Sequence, residues 1–192
     1  MAPALIYIHG FNSSPASSKA KVLHEQLAAV GRAQEFFAPA LPHSPAAAAK
    51  MIEAIARTRP QAVLVGSSLG GFYATWLAER FALHAVLVNP AVRPYELLAD
   101  HVGRQKNFHN GEEYDFTAQH VDELRALEVD AINPARYLLM VETGDEVLDY
   151  RHAVEKYRGA RQLVIEGGDH GFSDFAAHVD AVLEFAGVSD PP

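Results

Sequence analysis

The sequence predicts an α/β fold with a mostly parallel sheet of about six strands and helices on both faces. Three observations predict it. Short apolar runs alternate along the chain with longer segments of helical period, as in a succession of βα units. The apolar runs lack polar alternation, which is how strands read when both of their faces are covered. At 192 residues, 49% apolar and 21% charged, the chain can bury one sizeable core and reads as a single domain over 1–192. Disorder, collagen and simple repeats are excluded.

The elements follow in order. Leu5 to Ile8 is the first strand, and His9-Gly10-Phe11-Asn12 is the loop after it. Ser14 with Pro15 reads as an N-cap and first-turn proline for a helix carrying Leu23, Leu27 and Val30, which Gly31 closes. Glu35 to Ala38 is the second strand, and Ala48, Ile52 and Ile55 mark the next helix. Ala62 to Gly66 is the third strand, leading into a helix with Leu69, Phe72, Tyr73, Trp76 and Leu77, where Tyr73 and Trp76 read as core. Ala85 to Asn89 is the fourth strand. Residues 90–134 are too long for an ordinary connection and mix Pro, Gly and Asn with a helical stretch around Val121 to Leu127. They are expected to form an excursion over the sheet edge or a minimal lid. Two more strands, Tyr137 to Val141 and Gln162 to Ile165, precede helices marked by Tyr150, Val154 and Tyr157 and by Phe175, Val179, Val182 and Ala186. Residues 187–192 are expected to fray.

Charge and composition narrow the function. With 16 Lys and Arg against 24 Asp and Glu, the net charge is −8, and the basic residues are scattered, so no nucleic-acid partner is expected. The absence of cysteine excludes a disulfide framework, a thiolate metal site and a Cys nucleophile. None of the ten histidines forms an i, i+4 pair of the zinc-helix kind. Met1-Ala2-Pro3-Ala4 has no basic region and no apolar run reaches membrane-spanning length, so a soluble, cytoplasmic protein without a membrane span is expected.

The chemistry starts at Gly66-Ser67-Ser68-Leu69-Gly70, a G-x-S-x-G match between a predicted strand and a predicted helix. A serine thrust out on so sharp a turn needs small neighbours, and the helix start aims unpaired N–H groups at its oxygen. Ser68 is the candidate nucleophile, and it needs a base, an anion to orient that base, and donors for an oxyanion. His170 lies in the glycine-rich turn Gly167-Gly168-Asp169-His170-Gly171 after the last strand and is the candidate base. Asp145 follows Gly144 after the strand before it and is the candidate acid, ahead of Glu142, Asp149 and Asp169. The order Ser68, Asp145, His170 is that of α/β-hydrolases. The backbone N–H of Leu69 and that of Phe11, in the first loop, are the candidate oxyanion donors.

These residues, with Tyr7 to Pro15, Val65 to Leu77, Val88 to Pro94, Thr143 to Arg151 and Ile165 to His170 around them, resemble the small α/β-hydrolase esterases of the YqiA type over nearly the whole chain. The resemblance implies a compact α/β-hydrolase without a large cap, esterase or thioesterase activity on small-molecule acyl esters or thioesters of any chain length, no cofactor, and Ser68, Asp145 and His170 as the triad. The family often carries Asn where this chain has Asp169, a departure that sets a carboxylate beside the base. Arg93 falls on the same side and reads equally as a substrate contact or a solvated ion pair. Two alternatives stay open: an acyltransferase or perhydrolase using the same triad, and a non-catalytic binding protein on the same fold.

Overall fold

The computed structural model describes residues 3–188. Along the chain run β1 (Leu5–Ile8), α1 (Ser18–Ala29), β2 (Phe36–Phe37), α2 (Pro45–Arg57), β3 (Val63–Ser67), α3 (Leu69–Phe81) and β4 (His84–Val88). There follow α4 (Pro94–Leu97), β5 (Gly103–Lys106), β6 (Glu113–Phe116), α5 (Ala118–Arg125), β7 (Tyr137–Glu142), α6 (Tyr150–Lys156), β8 (Arg161–Ile165) and α7 (Phe175–Phe185).

The six apolar runs form one parallel sheet in the order β2-β1-β3-β4-β7-β8. Side chains of successive strand residues point to opposite faces, and both faces are apolar. Ile6, Ile8, Leu64, Leu87 and Leu139 pack under α2, α3 and α6. Leu5, Tyr7, Val63, Val65, Val86 and Met140 pack under α1 and α7. Each fully buried Leu or Ile contributes about 1.5–3 kcal/mol, so these two layers hold the helices in place. All six strands run the same way, which brings the loops after β1, β3, β4, β7 and β8 to one rim of the sheet.

Three features differ from the expectation. The helix α1 starts at Ser18, not after Ser14, because Ser14 to Ser17 first makes a turn closed by the Ser17 amide on Ser14 O at 3.2 Å. Ser17 then donates its hydroxyl to the buried Tyr7 oxygen at 3.0 Å, pinning the helix entry to β1. The Ser-Pro cap does occur, at Ser44 and Pro45, where Ser44 Oγ accepts from the Ala47 amide at 3.2 Å. Residues 90–134 contain a separate antiparallel hairpin, β5 with β6, besides α4 and α5. Gly187 and Val188 are not frayed: the Val188 amide donates to Leu183 O at 2.8 Å and its side chain is buried. The rest of the expected tail, 189–192, lies outside the described residues. Gly31 does close α1, with φ +73°.

Candidate active site

Ser68 sits between β3 and α3 with φ 55° and ψ −121°, a strained conformation for a residue with a side chain. Its neighbours explain how the turn persists. A Cβ on Gly70 would lie 1.9 Å from the Ile8 carbonyl oxygen, and one on Gly66 would lie 2.3 Å from the Gly70 oxygen. Only glycines let α3 start this close to β1. The Ser68 amide is tied to Val88 O at 3.0 Å, and its carbonyl accepts from the amides of Gly71 at 2.9 Å and Ala91 at 3.0 Å.

His170 reaches Ser68 from the loop after β8. Its Nε2 is 3.0 Å from Ser68 Oγ, and its Nδ1 is 3.0 and 2.9 Å from the two oxygens of Asp145. The Asp145 side chain is 2% exposed against 21% for His170, so the carboxylate is screened from water while the imidazole edge is not. Burial works to raise the Asp145 pKa, but the His170 hydrogen bond and the amides of Leu148 and Val147 outweigh it and hold the carboxyl below its usual range. Those amides donate to Asp145 Oδ1 at 2.8 and 2.9 Å. The other carboxylates weighed for this role are elsewhere: Asp149 caps α6 and pairs with Arg151 at 2.7 Å, and Asp169 presents its amide, not its side chain, to Glu142 at 2.9 Å.

The loop after β1 lies against the serine, since a Cβ on Gly10 would be 3.5 Å from Ser68 Oγ. Phe11 and Leu69 line a common small pocket beside it. Among the described residues neither of their amides finds a backbone acceptor. His9 braces the loop: it is 7% exposed, its Nε2 accepts from the Leu41 amide at 3.2 Å, and its Nδ1–H donates to Gly10 O at 2.9 Å. Burial lowers its pKa, consistent with the neutral ring these bonds require.

Several residues that hold this arrangement show no motif in the sequence. Asn89, 2% exposed with φ 40°, donates to the carbonyls of Asp169 at 3.0 Å and His170 at 3.3 Å while accepting from the Glu142 amide at 2.9 Å. Glu146 accepts the His170 amide at 2.9 Å, and buried Lys19 of α1 donates to Gly171 O. Asn12, at φ 53°, is gripped by the β5–β6 hairpin through Gln105 and Tyr114. Their only sequence cue is position: an Asn before Pro90, and an Asn two residues past Gly10.

Two hollows are lined by neighbours of the Ser68, Asp145 and His170 cluster, though by none of the three. A cleft of about 740 Å³ opens on the β4 and β7 side, between Pro90, Ala91, Leu97, Val147, Leu148 and Lys156. Arg93 borders it, 62% exposed and 3.6 Å from Glu96, which matches the ion-pair reading. A pocket of only about 40 Å³ lies on the β1 side. Among the described residues no group of three or more His, Asp or Glu is placed to hold a metal ion, and no helix is long and apolar enough to cross a membrane.

The model of the Uncharacterised protein family (UPF0227) matches residues 4–187. The chain belongs to that family. The likeness of its loops to YqiA-type proteins thus extends, as UPF0227 membership, over nearly the whole chain. The UPF0227 protein YcfP of Salmonella arizonae is 26% identical over 188 residues, covering 94% of this chain and 97% of that one. Among solved structures, mouse alpha/beta hydrolase domain-containing protein 10 superposes with a TM-score of 0.70 at 16% identity, over 96% of this chain and 90% of that one. The carboxylesterase CesB of Bacillus subtilis does so with a TM-score of 0.58 at 17% identity, over 96% and 83%. The UPF0227 chain therefore has the α/β-hydrolase fold.

Proposed function

We propose that this protein is a serine hydrolase that cleaves carboxylic esters or acyl thioesters through an acyl-enzyme on Ser68. The observation that carries the reading is the unbroken line from Asp145 through His170 to Ser68 Oγ, with 2.9 and 3.0 Å links, ending on a strained and half-buried serine. His170 Nε2 takes the Ser68 proton as Oγ attacks the carbonyl carbon. The oxyanion that forms is held by the amides of Phe11 and Leu69, aided by the positive end of α3. His170 then protonates the departing alcohol or thiol as its bond to the acyl carbon breaks. Water, deprotonated by the same imidazole, attacks the acyl-enzyme and frees the acid and Ser68. Asp145 keeps the His170 proton on Nδ1 and stabilises the imidazolium. CesB, a carboxylesterase on the same fold, supports the reaction class.

Fluorophosphonate labelling tests activation without a chosen substrate. Mass mapping is expected to find the adduct on Ser68 alone and to find none in Ser68→Ala. A folded wild-type protein that takes no label refutes the reading.

A further inference from the structure

The two hollows lined by neighbours of the triad residues are unequal, and the elements they adjoin suggest which end of a substrate each receives. This step rests on the serine-hydrolase reading. The leaving group must depart beside His170 Nε2, which protonates it, and His170 and Asp145 come from loops on the β7 and β8 side of the serine. The wide cleft lies on that side, lined by Val147 and Leu148 of the Asp145 loop. The acyl chain therefore points the other way, past the Phe11 and Leu69 amides, into the pocket of about 40 Å³. One water-sized group needs about 10–15 Å³, so the pocket takes about three. Its walls are mixed: Phe11, Leu41, Leu69 and Phe116 share them with the polar Asn12, His43, Asn107 and Tyr114.

One of the polar groups there stands apart. Tyr73 is 3% exposed, yet among the described residues nothing hydrogen-bonds its hydroxyl; burial raises its pKa, and Glu123 and Tyr114 add to that. Tyr7, Tyr95, Tyr114, Tyr137 and Tyr157 each give their hydroxyl a protein partner. Tyr73 instead lines the pocket. Its ring is buried while its hydroxyl, without a protein partner among the described residues, stays open to the pocket, where it can donate to an acceptor that enters.

We propose that the acyl group this enzyme accepts is short and carries an oxygen acceptor, seated between the Phe11 loop and α3 with the Tyr73 hydroxyl donating to that oxygen. Alkanoyl chains longer than about four carbons exceed the pocket, and an alkanoyl chain of fitting length leaves the hydroxyl unpaired.

Methoxyacetyl and butanoyl groups have the same shape and differ by one oxygen, so their p-nitrophenyl esters isolate that contact. Tyr73→Phe is expected to lower kcat/KM on the methoxyacetate about tenfold more than on the butanoate, a double ratio that cancels their intrinsic reactivities. The wild type is expected to hydrolyse the octanoate at least tenfold more slowly than the butanoate. Leu41→Ala, which enlarges the pocket and leaves the hydroxyl in place, is expected to narrow that gap. Equal losses on the two isosteres, or octanoate turned over as well as butanoate, overturn the inference alone. Failure of fluorophosphonate to label Ser68 in the same preparation overturns the serine-hydrolase reading and this inference with it.

Discussion

Asp145 offers His170 two oxygens that are not equivalent. Oδ1 already accepts from the Val147 and Leu148 amides, at 2.9 and 2.8 Å, while Oδ2 has only His170 Nδ1, at 2.9 Å. In Asp145→Asn the remaining oxygen keeps those two amides, and the new NH₂ must face Nδ1. That forces the imidazole proton onto Nε2, where it blocks transfer from Ser68. Hydrolysis is expected to fall roughly 10⁴-fold, the magnitude such a tautomer switch has in other triads. Asp149→Asn loosens a surface pair with Arg151, keeps an oxygen for the α6 cap, and is expected to stay within about twofold of wild type. The reverse result would move the acid to Asp149. Ser68, Asp145 and His170 were legible in the sequence because each follows a strand whose apolar run is unmistakable, so topology alone sends them to one rim.

The element that was not legible as strand is the β5–β6 hairpin. Its residues Gly-Arg-Gln-Lys and Glu-Tyr-Asp-Phe are mostly exposed, so no apolar run marks them. Its attachment is polar and long-range: Tyr114 OH donates to Asn12 Oδ1 at 2.6 Å, Asn12 Nδ2 to Gln105 Oε1 at 3.2 Å, and Asn107 Nδ2 to Ser13 O at 2.9 Å. Phe11 packs edge-on against Phe116, with centroids 5.3 Å apart. Periodicity cannot register contacts of this kind. The hairpin thereby holds the loop that offers the Phe11 amide, and Asn12 is where the two elements join. Asn12→Gly keeps the φ of 53° accessible and removes the side-chain anchor, whereas Asn12→Ala removes the anchor and adds backbone strain. Both are expected to slow fluorophosphonate labelling by a similar factor, about five- to tenfold for the lost hydrogen bonds. Asn12→Ala is expected to melt lower, by the ~1 kcal/mol cost of a left-handed alanine. Unchanged labelling in both variants would mean the loop holds its shape without the hairpin.

At the scale of the whole molecule, the rim is bound together across strands by one buried acid. Glu142, 1% exposed at the end of β7, takes the Asp169 amide on Oε2 and gives its own amide to Asn89 after β4. Burial raises its pKa; the Asp169 amide works against that, and the Asp174 and Asp169 carboxylates add to it. Lys19, from the α1 side, is a cation that the Glu142 charge reaches. A carboxyl whose folded pKa is raised contributes stability that is fully present below its unfolded value of about 4.3 and is lost as pH rises through the folded pKa. Asp145 has the opposite sign: its depressed pKa contributes stability above the unfolded value and loses it in acid. Glu142→Gln leaves Asp145 untouched, so the Asp145 contribution cancels when variant and wild type are compared at each pH. Glutamine retains an oxygen for the Asp169 amide and presents an NH₂ that Asp174 can accept, so only the titration is removed. The melting temperature of Glu142→Gln relative to wild type is therefore expected to climb between pH 4 and pH 8, by about 2–4 °C for each kcal/mol of ionisation cost relieved. A difference that stays constant across that range would mean Glu142 ionises in the fold as freely as in the unfolded chain, its burial offset by Lys19.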